Sequence, residues 1–418
     1  MWETLRNAWK IQDLRKKILY TVGMLLVYRL LCYVPTPGVD LQAVSEAMSN
    51  YSLLGFIDSI TGSNLANYTI MAMGITPYIN SSIIMQLLTV AIPKLEELQK
   101  QGEEGRKKIA QITRYVTVVL GFLQAIGITV GMQAARNGSA LSYITIGVCL
   151  AAGTALAMWI GERINEKGLG NGISLLIFAG IISRVGPMII NTLAGIINGT
   201  ESVLTALIVA VVSLAMIVAV VYVDQGERRV PVQYAKRMVG RKMYGGQSTH
   251  IPMRVNASGV LPLIFASAIM QFPSTILAIV PIFSDARIWW DTHFYYASWG
   301  YQLIFALLII GFTFFYNTIS FNPIEMSKNL QQNGGMIPGI RQGRPTSDYL
   351  ARISRRITLF GALFLAVLAV VPTLLAASAG VSIAFGASSL LIAVSVALET
   401  TRQLESQMLM RHYRGFLK

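Results

Sequence analysis

Charge is scarce in this chain of 418 residues: only 13% are Asp, Glu, Lys or Arg, against 54% hydrophobic. A soluble globular domain carries roughly 25% charged residues, so this composition does not suit a chain that faces water on all sides. Cysteine is scarcer still. Cys32 and Cys149 are the only two, and both fall inside apolar runs, where they read as small apolar side chains rather than a disulfide or a metal pair. The histidines, His250, His293 and His412, lie far apart and share no ligand spacing with Cys, Asp or Glu, so metal chemistry has no support. Acidic residues are missing from the middle of the apolar runs, where ion-coupled transporters place the ionisable groups that carry coupling. They sit in loops or at helix ends, as Glu162 and Glu399 do. Arg29 is the exception, and it reads as a snorkelling or structurally paired side chain. No nucleophile stands near a base. The glycine-rich stretch Gly168 to Gly172 has neither the dinucleotide spacing nor the Lys-Ser/Thr ending of a phosphate loop, and reads as a tight turn into a helix. Together these absences argue against an enzyme and against a bound cofactor.

What the sequence does have is apolar length. Ten runs approach the roughly 20 residues that cross a bilayer: about 16–34, 68–90, 112–134, 142–162, 172–190, 202–223, 256–281, 300–320, 355–375 and 386–404. Backbone in hydrocarbon needs internal hydrogen-bond partners, which leaves helices or closed barrels. The runs are too long and too uniformly apolar for barrel strands, so the expected fold is an all-α integral membrane protein with ten transmembrane helices. The first run has no small-residue cleavage site after a short apolar core, and reads as part of the mature protein.

The Lys and Arg residues set the orientation. Thirty of the 34 fall before the first run, after the last, in the loops following runs two, four, six and eight, or at the run ends that adjoin these segments. The other side has only Arg136, Arg184 and Arg287. This asymmetry puts both termini in the cytoplasm. Five spans then lead out and five return, so the halves have opposite orientation, as in an inverted repeat with a pathway at its interface. The expected division is a cytosolic amphipathic segment over 1–15, an N-terminal half over 16–190, a C-terminal half over 191–404 and a cytosolic tail over 405–418. Two cytosolic loops, about 224–255 and 321–354, exceed ordinary connections and form a candidate docking surface. Between spans one and two, Ser49 to Asn67 is half apolar and too short to span; it reads as an external loop or, less commonly, as a segment folded back into the protein.

Several stretches resemble the SecY family of protein-conducting channels. They are Gly74-Ile75-Thr76-Pro77-Tyr78-Ile79 followed by Ser82 to Leu88, Gln101-Gly102-Glu103-Glu104-Gly105-Arg106, Gly168 to Ser174, Gln247 to Pro252 with Val255-Asn256, Gly334 to Arg341, and the tail from Leu398 to Phe416. The matches keep the family's order over nearly the whole chain. The resemblance implies an hourglass channel with a central pore between the halves, closed by an apolar ring of Ile75, Ile79, Ile173, Ile177, Ile264 and Ile392. It also implies an external plug over about 52–65, carried by Leu53, Leu54, Phe56, Ile57 and Ile60. A lateral gate between spans two and seven would use Asn80, Gln86, Ser267 and Gln271, and Ile309 serves as a lipid-facing comparison. In the loops, Arg237, Arg241, Lys242, Arg341 and Arg344 would meet partners; an arginine at the Gly/Pro-shaped tip offers bidentate bonds to carboxylate or phosphate. The implied function is passive conduction of unfolded polypeptide, with lateral release of hydrophobic segments into lipid, in the bacterial plasma membrane. The implied partners are SecE and SecG, the SecA ATPase, the ribosome, the preprotein with its signal peptide, and membrane lipid. A secondary transporter for a small solute is the alternative that inverted halves also permit.

Overall fold

The computed structural model describes residues 6, 8–50, 58, 62, 64–199, 202–234, 237–239, 242–244, 248–279, 289–290, 293–294, 298–379 and 387–415. Each apolar run coincides with a long helix: α1 (Gln12–Leu31), α3 (Thr76–Ala91), α5 (Glu103–Gly131), α6 (Ala140–Lys167), α7 (Gly172–Ile197), α8 (Val203–Gln225), α9 (Leu261–Ile279), α10 (Trp299–Ser320), α12 (Arg344–Ala379) and α13 (Ala387–Gly415). The short helices α2 (Leu41–Asn50), α4 (Pro93–Lys100) and α11 (Pro323–Gln332) connect them. Among the described residues, six segments are long and apolar enough to cross a membrane by length and composition: α5, α6, α7, α8, α12, and α10 continuing into α11.

The helices overrun the apolar windows where polar residues follow. α12 begins at Arg344, well before the apolar stretch, and α13 continues to Gly415 through what reads from composition as a tail. Charge ends a membrane crossing but does not end a helix, since Arg, Lys, Glu and Gln are good helix formers. Caps set the true starts. Asn171 accepts from the N–H groups of Ile173 (3.1 Å) and Ser174 (3.4 Å) to start α7, and Ser139 and Ser298 cap α6 and α10. The turn over Gly168 to Asn171 leads into α7 as its composition suggested. A Cβ on Gly172 would lie 2.0 Å from the Gly161 carbonyl oxygen, so only glycine lets α7 leave α6 so closely.

The second apolar window departs furthest from a simple helix. α3 starts only at Thr76 and has 16 residues, about 24 Å of helix against a hydrocarbon core of about 30 Å. Residues 64–75 approach it as a chain of turns, yet Leu65, Tyr68, Met71 and Ala72 are fully or almost fully buried. Their backbone is paired with the strand-like stretch after α1: the Thr36 N–H donates to the Tyr68 carbonyl (3.1 Å) and the Ile70 N–H to the Val34 carbonyl (2.9 Å). Irregular backbone is tolerated at such depth only where protein, not lipid, surrounds it.

Among the described residues, strands occur only in the two long loops. β1 (Glu227–Tyr234) pairs antiparallel with β4 (Ser248–Arg254), in register Val230 to Ile251, and also with β5 (Gly335–Met336) through Tyr234 to Gly335, giving the order β4-β1-β5. Between them, β2 (Arg237–Val239) and β3 (Lys242–Tyr244) form a separate hairpin. The alternation in β1 buries Val230 and Val232 against Met253, Leu330, Ile337 and Leu350. The two loops are therefore one folded unit with its own apolar core. The largest core runs through the helices of both halves, from Tyr28 on α1 to Val396 on α13.

Candidate functional site

The six isoleucines come from four helices. Ile75 precedes the first residue of α3 and Ile79 lies one turn on; Ile173 and Ile177 occupy the first turns of α7; Ile264 is in the first turn of α9 and Ile392 near the start of α13. Ile75, Ile79, Ile177, Ile264 and Ile392 are buried members of the central cluster, and the half-buried Ile173 packs against it. The fold thus brings all six into one apolar body. Ile309, expected to face lipid, is fully buried in the same cluster. Periodicity within a uniformly apolar helix does not say which face meets lipid, because lipid and core are equally apolar.

α3 packs directly against α9. Asn80 is buried in that region, and its carbonyl oxygen has no partner among the described residues. Gln86 bonds across helices: its carbonyl oxygen accepts from the Tyr316 hydroxyl of α10 at 2.6 Å, while its amide donates to Ser82 at 3.5 Å. Tyr316 is held by Phe265 of α9, ring centroids 5.2 Å apart, and Phe265 meets Phe312 edge-on at 5.8 Å. Ser267 instead donates to the Ile264 carbonyl of its own helix at 2.8 Å. The Gln271 side chain lies outside the described residues. Tyr316 carries no mark in the sequence, being one aromatic among many in α10.

Leu53, Leu54, Phe56, Ile57 and Ile60 also lie outside the described residues. Their described neighbours Asp58, Gly62, Asn64 and Leu65 are buried. The Asp58 carboxylate accepts from the backbone N–H groups of Leu65 (3.1 Å) and Ala66 (2.9 Å), and its other oxygen pairs with Arg184 of α7 at 3.4 Å. Burial pushes the Asp58 carboxyl above the ordinary carboxylate range, against the pull of those donors and of the Arg184 charge. Gly62 has φ +77°, and a Cβ there would lie 2.6 Å from the Gly180 carbonyl oxygen of α7. Asn64 donates to the Cys32 sulfur at 3.2 Å.

In the folded loop unit, Arg341 is exposed between Gly339 (φ +80°) and Gly343 (φ +89°), and Arg344 is exposed at the start of α12. The tip is braced from inside. The Thr346 hydroxyl donates to the Arg341 carbonyl (2.8 Å), the Ser327 hydroxyl to the Gly343 carbonyl (2.7 Å) and the Gln342 amide to the Gly335 carbonyl (3.1 Å). Arg237 and Lys242 belong to the β2–β3 hairpin, and Arg241 lies outside the described residues. One group that composition does not single out is Asp224. It stands at the end of an apolar run, where it reads as the first loop residue, but it is buried in the last turn of α8 and paired with Arg402 of α13 at 3.1 Å. Among the described residues no three His, Cys, Asp or Glu side chains gather where a metal ion would bind.

A family model described as SecY matches residues 69–401. The chain belongs to the SecY family. Its relatives include the protein translocase subunit SecY of Halalkalibacterium halodurans, 44% identical with the whole of both chains covered, and that of Thermotoga maritima, 40% identical over 100% of this chain and 98% of the relative. Among solved structures, that of a protein conducting channel has a TM-score of 0.68 at 20% identity, covering 94% of this chain and 92% of the other. Sec61 in the canine ribosome-channel complex from the endoplasmic reticulum has a TM-score of 0.62 at 18% identity with the same coverage. At such identities these two likenesses are likenesses of fold.

Proposed function

We propose that this SecY-family chain is a protein-conducting channel that passes unfolded polypeptides across the membrane and releases hydrophobic segments laterally into lipid. One observation carries the reading: six isoleucines, from helices of both halves, converge on one apolar body in a chain whose relatives are translocase subunits. A constriction of branched aliphatic side chains blocks ions by dewetting, because apolar walls do not replace a hydration shell. The same walls yield to any peptide, having no hydrogen bonds to satisfy. In this reading ten helices cross the membrane as two inverted halves, α3 and α9 flank the gate, and the segment over about 52–65 is the plug. The secondary-transporter alternative finds no support among the relatives.

The orientation with both termini and the folded loops in the cytoplasm of a bacterial cell is supported by the Lys/Arg asymmetry. Exposed Tyr33, Trp289 and Trp299 on the opposite side suit an aromatic belt at the outer interface. SecE and SecG in the membrane, and SecA or a ribosome at the Arg341 tip, complete the assembly in this proposal; the ribosome-bound solved relative supports the last of these. The test is reconstitution of the chain with its small membrane subunits in vesicles. An unfolded preprotein should become protease-protected when SecA and ATP are supplied. Uptake of a small solute down an ion gradient, with no polypeptide protected, would favour the transporter.

A further inference from the structure

The base of the β1–β4 hairpin holds an ion pair, its carboxylate buried and its arginine half-buried, that the channel reading leaves without a role. Asp224, its side chain 7% exposed, lies just before β1, and Asn256 lies just after β4. One Asp224 carboxylate oxygen accepts from the Asn256 amide at 3.4 Å; the other pairs with Arg402 at 3.1 Å, and Arg402 also donates to the Asp224 backbone carbonyl. The Val255 N–H closes the hairpin on the Gly226 carbonyl at 3.0 Å. A single carboxylate therefore ties both feet of the hairpin to α13. Arg254 and Glu399 add charges within electrostatic reach of the pair.

Both helices reached in this way carry constriction residues. The turn after Asn256 leads into α9 and Ile264, and Arg402 stands on the same unbroken helix as Ile392, about 15 Å along its axis. A buried ion pair is a poor means of gaining stability, because well-packed apolar side chains serve as well or better. Its particular use is to fix one arrangement of elements in space. We infer that Asp224 and Arg402 are positioning residues that couple the folded loop unit to α9 and α13, so that a partner seated on the loops moves the constriction.

This inference rests on the channel reading, and its test separates the two. Asp224→Asn keeps the shape and the Asn256 contact while removing the charge, and Arg402→Lys keeps the charge but loses the paired donors. In vesicles holding either variant with its membrane subunits, SecA affinity should stay within about twofold of the unaltered channel, while SecA-driven protection of preprotein falls about tenfold for Asp224→Asn and less for Arg402→Lys. Spin labels at the exposed Gln332 of α11 and at the exposed Leu409 of α13 should give one narrow distance in the unaltered protein and a broadened distribution in Asp224→Asn. Affinity and transport falling in parallel, or a distance distribution that Asp224→Asn leaves unchanged, would overturn the coupling. Absence of preprotein protection in the unaltered channel would instead overturn the channel reading.

Discussion

α9 and α13 carry two sites made by opposite rules. At one, Ile264 and Ile392 share a buried apolar cluster with isoleucines of α3 and α7, and their side chains offer no hydrogen bond that prefers one position. At the other, α13 is held to the hairpin that leads into α9 by a carboxylate, a guanidinium and an amide at 3.1 and 3.4 Å. The first arrangement tolerates displacement, since apolar contacts re-form after sliding. The second tolerates almost none, because an uncoupled buried charge is costly. The difference teaches where a channel of this design yields and where it stays rigid.

The contrast breaks most visibly at the ion pair. Asp224→Ala leaves the half-buried Arg402 without its carboxylate and should lower unfolding stability in detergent by about 1.5–3 kcal/mol, read as a fall in melting temperature. Gly62→Ala comes next. A left-handed residue gains a Cβ against the Gly180 carbonyl, so the local arrangement should lose about 1–3 kcal/mol, seen as raised ion leak with the melting temperature little changed. Ile392→Val, at the yielding end, should cost only about 0.5–1.5 kcal/mol and leave export intact. Smallest is Tyr316→Phe, which removes the bond to Gln86; hydrogen bonds between membrane helices average about 0.6 kcal/mol. Channel recordings should therefore show a roughly threefold shift toward the open state.

Much of the helical frame was legible because apolar length marks burial in lipid or protein. What hydropathy does not mark is backbone conformation. Residues 68–75 are as apolar as a helix and are turns: Tyr68 and Ile70 bond to Thr36 and Val34, while Ala72 and Gly74 bond back only three residues, to Thr69 and Met71. The strand β1 leaves only a short trace in the sequence, the alternation of buried Val230 and Val232 in an otherwise polar segment. Asp224 was hidden by its place at the end of an apolar run, where exposure is the common outcome. Ile309 shows the limit from the other side: one isoleucine in an apolar helix carries no record of what it faces. The six ring residues came from family resemblance, with only the i,i+4 spacing of Ile75 and Ile79, and of Ile173 and Ile177, to support them from the chain itself.

The central claim is that those isoleucines line the constriction. Its direct test is the ion conductance of reconstituted channels carrying Ile264→Asn or Ile392→Asn, measured beside Leu207→Asn at an exposed position of α8. Hydrating the constriction should raise leak at least severalfold in both ring variants, with export of substrates whose signal sequences are defective, while the α8 variant conducts as the unaltered channel does. Equal conductance in all three variants would mean that Ile264 and Ile392 do not line the pore.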